Sequence, residues 1–325
     1  MTQPPPAEGR RLPWQAIPGH LRDRVEDLLG ARVLAAQTQP GGFSPGVAAR
    51  LTLTGGGRAF VKAVGDLNPD SPGIHRSEAR IAAALPEGTP APRLLGSVDT
   101  DGWVILLLED IEGRMPAQPW RSDELVRVLD AMTGLAAALS PAPIEAPSAA
   151  VRFHSLGHGW RNLANARAEG DKLADVSPWA RDRVYDLAAL ESHWAGDVAG
   201  TTLAHGDVRA DNILLTPSRV VFVDWPWACL AKPWFDLVAL LPSVTLQGGQ
   251  APEEVLAAHP LADGADPDDV TTAVAALAGM WIYLGRRPDP PGIPTLRAFQ
   301  RAHSAVALDW LAQRVRTCSA GLGLG

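Results

Sequence analysis

The stretch "HGDVRADN" places His205, Asp207, Arg209, Asp211 and Asn212 within eight residues, and the apolar run "ILL" follows at once. Polar groups this dense beside a core segment carry a desolvation cost unless each finds a partner. The spacing H-x-D-x-x-x-x-N offers a carboxylate, Asp207, that can accept a hydroxyl proton. It also offers an amide oxygen, on Asn212, of the hard kind that magnesium prefers. "VFVDW" adds a second hard ligand, Asp224, seventeen residues after Asp207. The bland alternative makes Asp211–Asn212 a turn and Asp224 a strand-end cap.

Lysine is scarce in this chain. The twenty-nine basic residues include three lysines, Lys62, Lys172 and Lys232. In "AFVKAV" the neighbours of Lys62 on both strand faces are apolar, so its ammonium needs a counter-charge. Glu78 can supply it, because it falls inside the helical apolar stripe of Ile74, Ile81 and Leu85. The competing arrangement has both side chains reaching solvent. "PGGFSPG", residues 40–46, is by itself a tight hairpin, and no Lys-Ser/Thr follows it to make a Walker A loop. It is nonetheless a Gly-rich connection able to lie over phosphates. Gly-rich turn, lysine, glutamate and the H-x-D-x-x-x-x-N…D set fall in the order a kinase core needs.

These residues need elements to position them. Residues 1–12 are Pro-rich and polar and predict a disordered tail. "HLRDRVEDLLG" (20–30) has helical spacing with a glycine stop. "RVLAAQTQ", "VAARLTLT" and "RAFVKAV" then read as strands joined by Gly-rich turns. "IHRSEARIAAAL" (74–85) is a helix stopped by Pro86, and "RLLGSVD" and "GWVILLLED" are two further strands. The expected fold class is α+β: a five-stranded antiparallel sheet with one helix over residues 13–108, a connector at 109–113, and a larger mainly helical lobe over 114–325. The exception in that lobe is a hairpin-like pair, "NILLT" and "VVFVD".

Composition sets limits. The 325 residues suit two lobes better than one small core. A formal charge of −7 argues against a nucleic-acid partner and mildly suits a cationic substrate. Cys229 and Cys318 are far apart and have no CxxC company, so neither a disulfide framework nor a zinc site is indicated. The N-terminus lacks the apolar core of a secretory signal, and "TTAVAALAGMWIYLG" (271–285) is short of a membrane span. The expectation is a cytoplasmic protein with no membrane partner.

"LAHGDVRADNILL" followed by "VVFVDWPWACLAKPWFDLV" resembles the signature of the aminoglycoside phosphotransferase family, small-molecule kinases with a bilobal protein-kinase-like fold. The resemblance runs from about residue 33 to the C-terminal helices. It implies ATP or GTP and magnesium as cofactors and a small-molecule hydroxyl as acceptor. By position, Asp207 would be the catalytic base and His205 would brace its loop. Asn212 and Asp224 would bind the metal. Lys62, held by Glu78, would grip the α- and β-phosphates, under a loop whose Gly42, Ser44 and Gly46 cap them. Adenine would pair with the Glu109 carbonyl and the Ile111 amide in "LLLEDIEG", and Asp236 in "WFDL" would steady the catalytic loop. Pro45 departs from the pattern, since it removes one amide donor from the phosphate loop.

Arg209, two residues after the base, is a candidate γ-phosphate contact with a surface arginine as the alternative. Trp225, Trp227 and Trp234 could line a pocket for a ring-shaped acceptor, or pack the core. His154 and His158 are four apart without a third ligand and read as structural or surface residues. A protein kinase is disfavoured: the motif is HGD, DFG and APE are absent, and eleven residues separate Asp224 from Asp236. A catalytically dead nucleotide-binding protein is disfavoured because neither base nor metal ligand is missing. Acceptors in the family range from aminoglycosides, macrolides and other antibiotics to choline, sugars and amino-acid alcohols. The acidic "ADGADPDD" (262–269) is compatible with a cationic one, but the run reads first as a solvated loop.

Overall fold

The computed structural model describes residues 7–65, 69–154 and 157–321, with side chains as far as residue 316. Its first half comprises β1 (Arg11–Leu12), α1 (Gly19–Leu29), β2 (Val33–Thr38), β3 (Gly46–Leu53), β4 (Arg58–Val64), α2 (Ser71–Ala84), β5 (Leu94–Thr100) and β6 (Trp103–Leu108). Among the described residues these strands form one six-stranded sheet, ordered β1-β3-β4-β6-β5 with β2 also on β3. The five expected strands are present and antiparallel to their neighbours. The sixth, β1, pairs parallel with β3 through Arg11 opposite Gly46, so the sheet is mixed rather than antiparallel. The expected tail is therefore structured at its end, while residues 1–6 lie outside the described residues.

Strand periodicity of two sorts the side chains between the faces of this sheet. Ala49, Val61 and Leu107 share one register line and, with Leu51, Ala63 and Ile105, pack under Ile17 and under Leu21 and Val25 of α1. Each large apolar side chain, fully buried, contributes about 1.5–3 kcal/mol. Ala48, Lys62 and Leu106 share the adjacent line and face the other way, toward α2 and the cleft. The sheet thus has helices on both faces, α1 where helical spacing was read over 20–30, and α2 as the one helix expected on the sheet.

The second half contains α3 (Ser122–Ala138), α4 (Ala149–Arg152), α5 (Gly159–Ala168), α6 (Pro178–Asp182), α7 (Val184–Glu191), α8 (Trp194–Asp197), β7 (Thr202–Ala204), β8 (Ile213–Leu215), β9 (Val220–Phe222) and β10 (Cys229–Ala231). It ends with α9 (Phe235–Leu246), α10 (Pro252–Ala258), α11 (Pro267–Gly285) and α12 (Leu296–Gly321). α9 is apolar nearly all round, as a central helix must be, and its Leu237, Leu240, Leu241 and Val244 are fully buried. The expected 271–285 helix is α11. No described helix is long and apolar enough to cross a membrane. "ADGADPDD" is no open loop at its end: Asp266 caps α11 by accepting from the Asp268 amide at 2.9 Å, and Asp269 pairs with Lys232.

Two short ladders position the chemistry. β8 pairs with β9 through Ile213 and Phe222, as the hairpin reading expected, and β7 pairs with β10 through Ala204 and Cys229, which it did not. Residues 205–212 and 223–228 are therefore two loops whose ends are clamped together on both sides.

Candidate active site

His205 opens the first of these loops, fully buried against Trp225 at a ring separation of 4.6 Å. Its Nε2 bonds the Val223 carbonyl (3.0 Å), and its Nδ1 accepts from the Asp207 amide (3.2 Å). Burial lowers its pKa to about 4, so the ring is neutral and serves as a spacer between the loops. Asp236, at the start of α9, accepts the His205 and Gly206 amides at 2.7 and 2.8 Å. Its carboxyl is pushed up by burial and drawn back by those amides, to about 6. Gly206 has φ 81°, and a Cβ there would stand 2.3 Å from the Trp227 carbonyl, so only glycine permits this turn.

Asp207 is held from two directions. Arg209 Nη1 donates to both of its oxygens at 2.9 Å, and Asn212 Nδ2 donates to Oδ2 at 3.1 Å and to the backbone carbonyl at 2.9 Å. Burial raises Asp207 to about 7, with Arg209 opposing and Asp211 and Asp224 adding to the rise. A carboxylate poised near neutrality suits proton abstraction. Arg209 is not a surface residue: its side chain is largely buried and its remaining donors hold Asp211 at 3.0 and 2.8 Å. Its guanidinium lies 5.2 Å from the Phe43 ring centre and 5.3 Å from that of Phe299. Arg209 thus orients the Asp207 carboxylate and its charge opposes the rise that burial causes.

Lys62 meets Glu78 at 2.5 Å, as the helical stripe implied, and also Asp224 at 2.6 Å. Burial alone would lower the ammonium; Asp224 and Glu78 override it and hold Lys62 above its ordinary value. One ammonium cannot serve two carboxylates equally. Burial works to raise both, but Lys62 prevails at Asp224 and depresses it to about 2, whereas buried Glu78 is raised. Ser77 of α2 donates to the Pro226 carbonyl at 2.8 Å and so ties Glu78's helix to the Asp224 loop. Asp224 itself has φ 70°, a left-handed conformation that aspartate tolerates better than most residues.

The Gly-rich connection is anchored by a residue that sequence reasoning missed. Arg11 donates to the Ser44 and Gly41 carbonyls, and the Gly46 amide donates to the Arg10 carbonyl at 3.0 Å. The Gly46 amide is thus committed to the sheet rather than to a ligand. Gly46 has φ 108°, and a Cβ would meet the Ala63 carbonyl at 2.4 Å. At the connector, the Glu109 amide donates to the Arg93 carbonyl at 2.9 Å, and the Ile111 carbonyl accepts from Arg50 at 3.1 Å.

Two cavities flank these groups. One, of about 600 Å³, is lined by Val47, Lys62, Leu108, Glu109, Ile111, Asn212 and Leu214 among others. The second, of about 630 Å³, is lined by Gly206, Asp207 and Arg209 and by residues of α9, α11 and α12. Both touch Ser44, His75, Asp224 and Phe299. His75, buried and neutral because burial and then Lys62 lower it to about 4, is a second residue the sequence did not single out. The tryptophans divide: Trp225 lines the first cavity, Trp227 the second, and Trp234 packs the core. His158 bonds the His154 carbonyl at 2.8 Å, a structural contact. Cys229 is buried and unpaired, whereas the side chain of Cys318 lies outside the described residues.

Among the described residues no cluster of three or more His, Cys, Asp or Glu could hold a metal by itself. Asn212 and Asp224 nevertheless provide two hard oxygens at the junction of the cavities. Asn212 turns its NH₂ to Asp207, which reserves its oxygen, and Asp224 has one oxygen on Lys62, which leaves the other. That set fits magnesium shared with a phosphate-bearing ligand.

Comparison with known proteins agrees with this arrangement. The sequence model of the phosphotransferase enzyme family (APH) matches residues 40–272. An aminoglycoside 3'-phosphotransferase of Streptomyces fradiae is 31% identical over 134 residues, which are 40% of this chain and 48% of that protein. The chain thus spans about half the length of this curated relative. Among solved structures, choline kinase LicA from Streptococcus pneumoniae superimposes with a TM-score of 0.55 at 14% identity, covering 89% of this chain and 98% of its own. LicA in complex with AMP gives 0.53 at 14% identity, covering 91% and 98%. At such identity the structural match is a likeness of fold: α+β, kinase-like and bilobal.

Proposed function

The chain belongs to the phosphotransferase enzyme family, and from that premise we propose that it transfers the γ-phosphoryl group of ATP or GTP to a hydroxyl of a small molecule. The observation that carries this reading is the meeting of two cavities at Asp224, with Asp207 on one side and Lys62 on the other. Two substrates bound in separate pockets would touch where the ionisable groups converge.

The nucleotide takes the Lys62 cavity, with its base between Val47, Leu108 and Leu214 and its edge toward the Glu109 carbonyl and the Ile111 amide. A complex of LicA, a protein of similar fold, with AMP supports a nucleotide as one of the two ligands. Lys62, fixed by Glu78, holds the α- and β-phosphates as a point charge, and the Gly42–Ser44 segment covers them. Asn212 and Asp224 hold magnesium, which neutralises phosphate charge when bound. The acceptor takes the Asp207 cavity. Asp207 removes the hydroxyl proton as the acceptor oxygen bonds to the γ-phosphorus and the bond to the β-phosphate oxygen breaks. Arg209 keeps Asp207 ionised and aimed; His205 and Asp236 hold the loop that carries it. A protein acceptor is disfavoured, because β10 occupies part of the short stretch between Asp224 and Asp236 and leaves no long docking loop.

Full-length protein with ATP or GTP and magnesium should release ADP or GDP in an acceptor-dependent way. Metabolite extracts and an antibiotic panel, beside resistance of an expressing host, supply the acceptors. Asp207→Asn should bind nucleotide with near-normal affinity and lose turnover. Normal turnover in that variant sinks the reading.

A further inference from the structure

If the chain is a phosphotransferase, its second cavity is where the acceptor binds, and the lining describes that acceptor. The walls are aromatic and aliphatic: Phe153 and Trp227 stack 6.0 Å apart at one end, and Trp281, Leu296 and Phe299 continue the surface. The carboxylates on the lining are Asp70, Asp207 and Asp224, of which the last two belong to the reaction. The acidic residues of 263–269 do not border it. A polycation would find one carboxylate, Asp70, outside the reacting set.

The cations are arranged differently. Arg287 and Arg297 line the cavity, and among the described residues neither guanidinium has a carboxylate within ion-pair distance. Arg297 donates to the Pro288 carbonyl and to Gln300. Burial lowers its pKa, the charge of Arg287 adds to that and Asp289 opposes it, so the two guanidiniums repel each other at the cavity wall with one carboxylate nearby. Asp289 is bonded to the Arg297 backbone rather than paired with either guanidinium, and like charges held together on a wall favour an anion between them.

Two buried polar atoms give the remaining signal. Ser243 Oγ and His303 Nε2 have no hydrogen-bond partner, both residues are 1% exposed, and both line this cavity. His303 donates from Nδ1 to the Phe299 carbonyl at 2.9 Å, which leaves Nε2 as an acceptor in the neutral ring. Buried polar atoms are nearly always paired, so orphans on a cavity wall mark places where a ligand completes the bonding. Nε2 calls for an O–H or N–H donor.

We propose that the phosphate acceptor is a hydroxylated aromatic or alicyclic molecule bearing an anionic group such as a carboxylate, and not a polycationic amino sugar. Its apolar body lies against Trp227, Trp281 and Phe299, its anion sits between Arg287 and Arg297, and a donor group meets His303.

The test uses the full chain and the intrinsic fluorescence of its tryptophans, which reports binding without turnover. The probes are hydroxylated aromatic and alicyclic carboxylic acids, their methyl esters, and kanamycin as the polycation. At least one acid should bind, with its ester at least about tenfold weaker, the scale of one charge-assisted hydrogen bond. Arg287→Gln and Arg297→Gln should each erase the difference between acid and ester, and Arg297→Lys should restore part of it. His303→Phe, which keeps an aromatic wall, should weaken acid and ester alike. Kanamycin binding tighter than every acid overturns the proposal, as does an acid affinity unchanged in both glutamine variants or no binding by any acid. Acid binding with no acceptor-dependent ADP or GDP release overturns the phosphotransferase reading instead and supports the ligand class.

Discussion

Two clusters in this molecule share one composition, a cation between two carboxylates, and differ in how they are built. Arg209 joins Asp207 and Asp211, each two residues away in the chain. Lys62 joins Glu78 and Asp224, which lie 16 and 162 residues away. The first cluster exists once its loop has formed. The second exists only when the sheet, α2 and the helical half are in place together. The Asp207 cluster is therefore set locally, while the Lys62 cluster depends on how the sheet and the helical half meet.

The comparison breaks hardest at the base. Asp207→Asn should cost about 10²–10⁴-fold in turnover, the range for loss of a general base, with thermal stability little changed. A loss confined to KM would place Asp207 in binding alone.

Asp236 tests whether the local cluster stands on its own. Asp236→Ala leaves the His205 and Gly206 amides without their acceptor, and each buried orphan costs about 1–3 kcal/mol. Denaturant unfolding should show that loss together with lower activity. In the wild type, the Asp236 carboxyl is raised to about 6, above its unfolded value. Its contribution to stability is thus fullest at acid pH and is lost as pH rises through about 6. Asp236→Asn should flatten that dependence, and an unchanged stability–pH profile would falsify the assignment.

A double-mutant cycle on Lys62→Met and Glu78→Gln probes the long-range cluster, with coupling of about 0.5–3 kcal/mol expected. The two single variants should be unequal. Lys62→Met leaves Glu78 and Asp224 facing each other unneutralised, whereas Glu78→Gln leaves Lys62 paired with Asp224. Equal and additive effects would show that the three groups do not act as one.

The smallest effect separates the two roles of Arg209. In the mechanism we propose, the ionised form of Asp207 is the active one, so kcat/KM should fall as pH drops below about 7. Arg209 lowers that pKa, so Arg209→Met should move the acid limb to higher pH by about a unit. A limb that stays in place, with only the nucleotide KM raised, would return Arg209 to the γ-phosphate.

Much of this site was legible in the chain because its spacing is local. His205, Asp207 and Asn212 sit on one loop, and Glu78 betrays itself as a charge inside an apolar helical stripe. The strands of the sheet were legible through alternation and Gly-rich turns. β1 was not, because two residues are too few to show a period and its pairing is with a strand 35 residues on. Arg11 on the Gly-rich loop left no mark for the same reason: nothing near it in sequence announces a distant carbonyl. The net charge of the chain says nothing of how charge is distributed over the cavity wall, where Arg287 and Arg297 stand together. Order, type and spacing of the reacting residues come from the chain itself, since a helix turn and a strand pleat have fixed periods. Only the tertiary structure decided that Lys62 reaches Asp224, that Asp236 caps the His205–Gly206 turn, and that Ser243 and His303 line one cavity. Those contacts join elements whose separation along the chain carries no period to read.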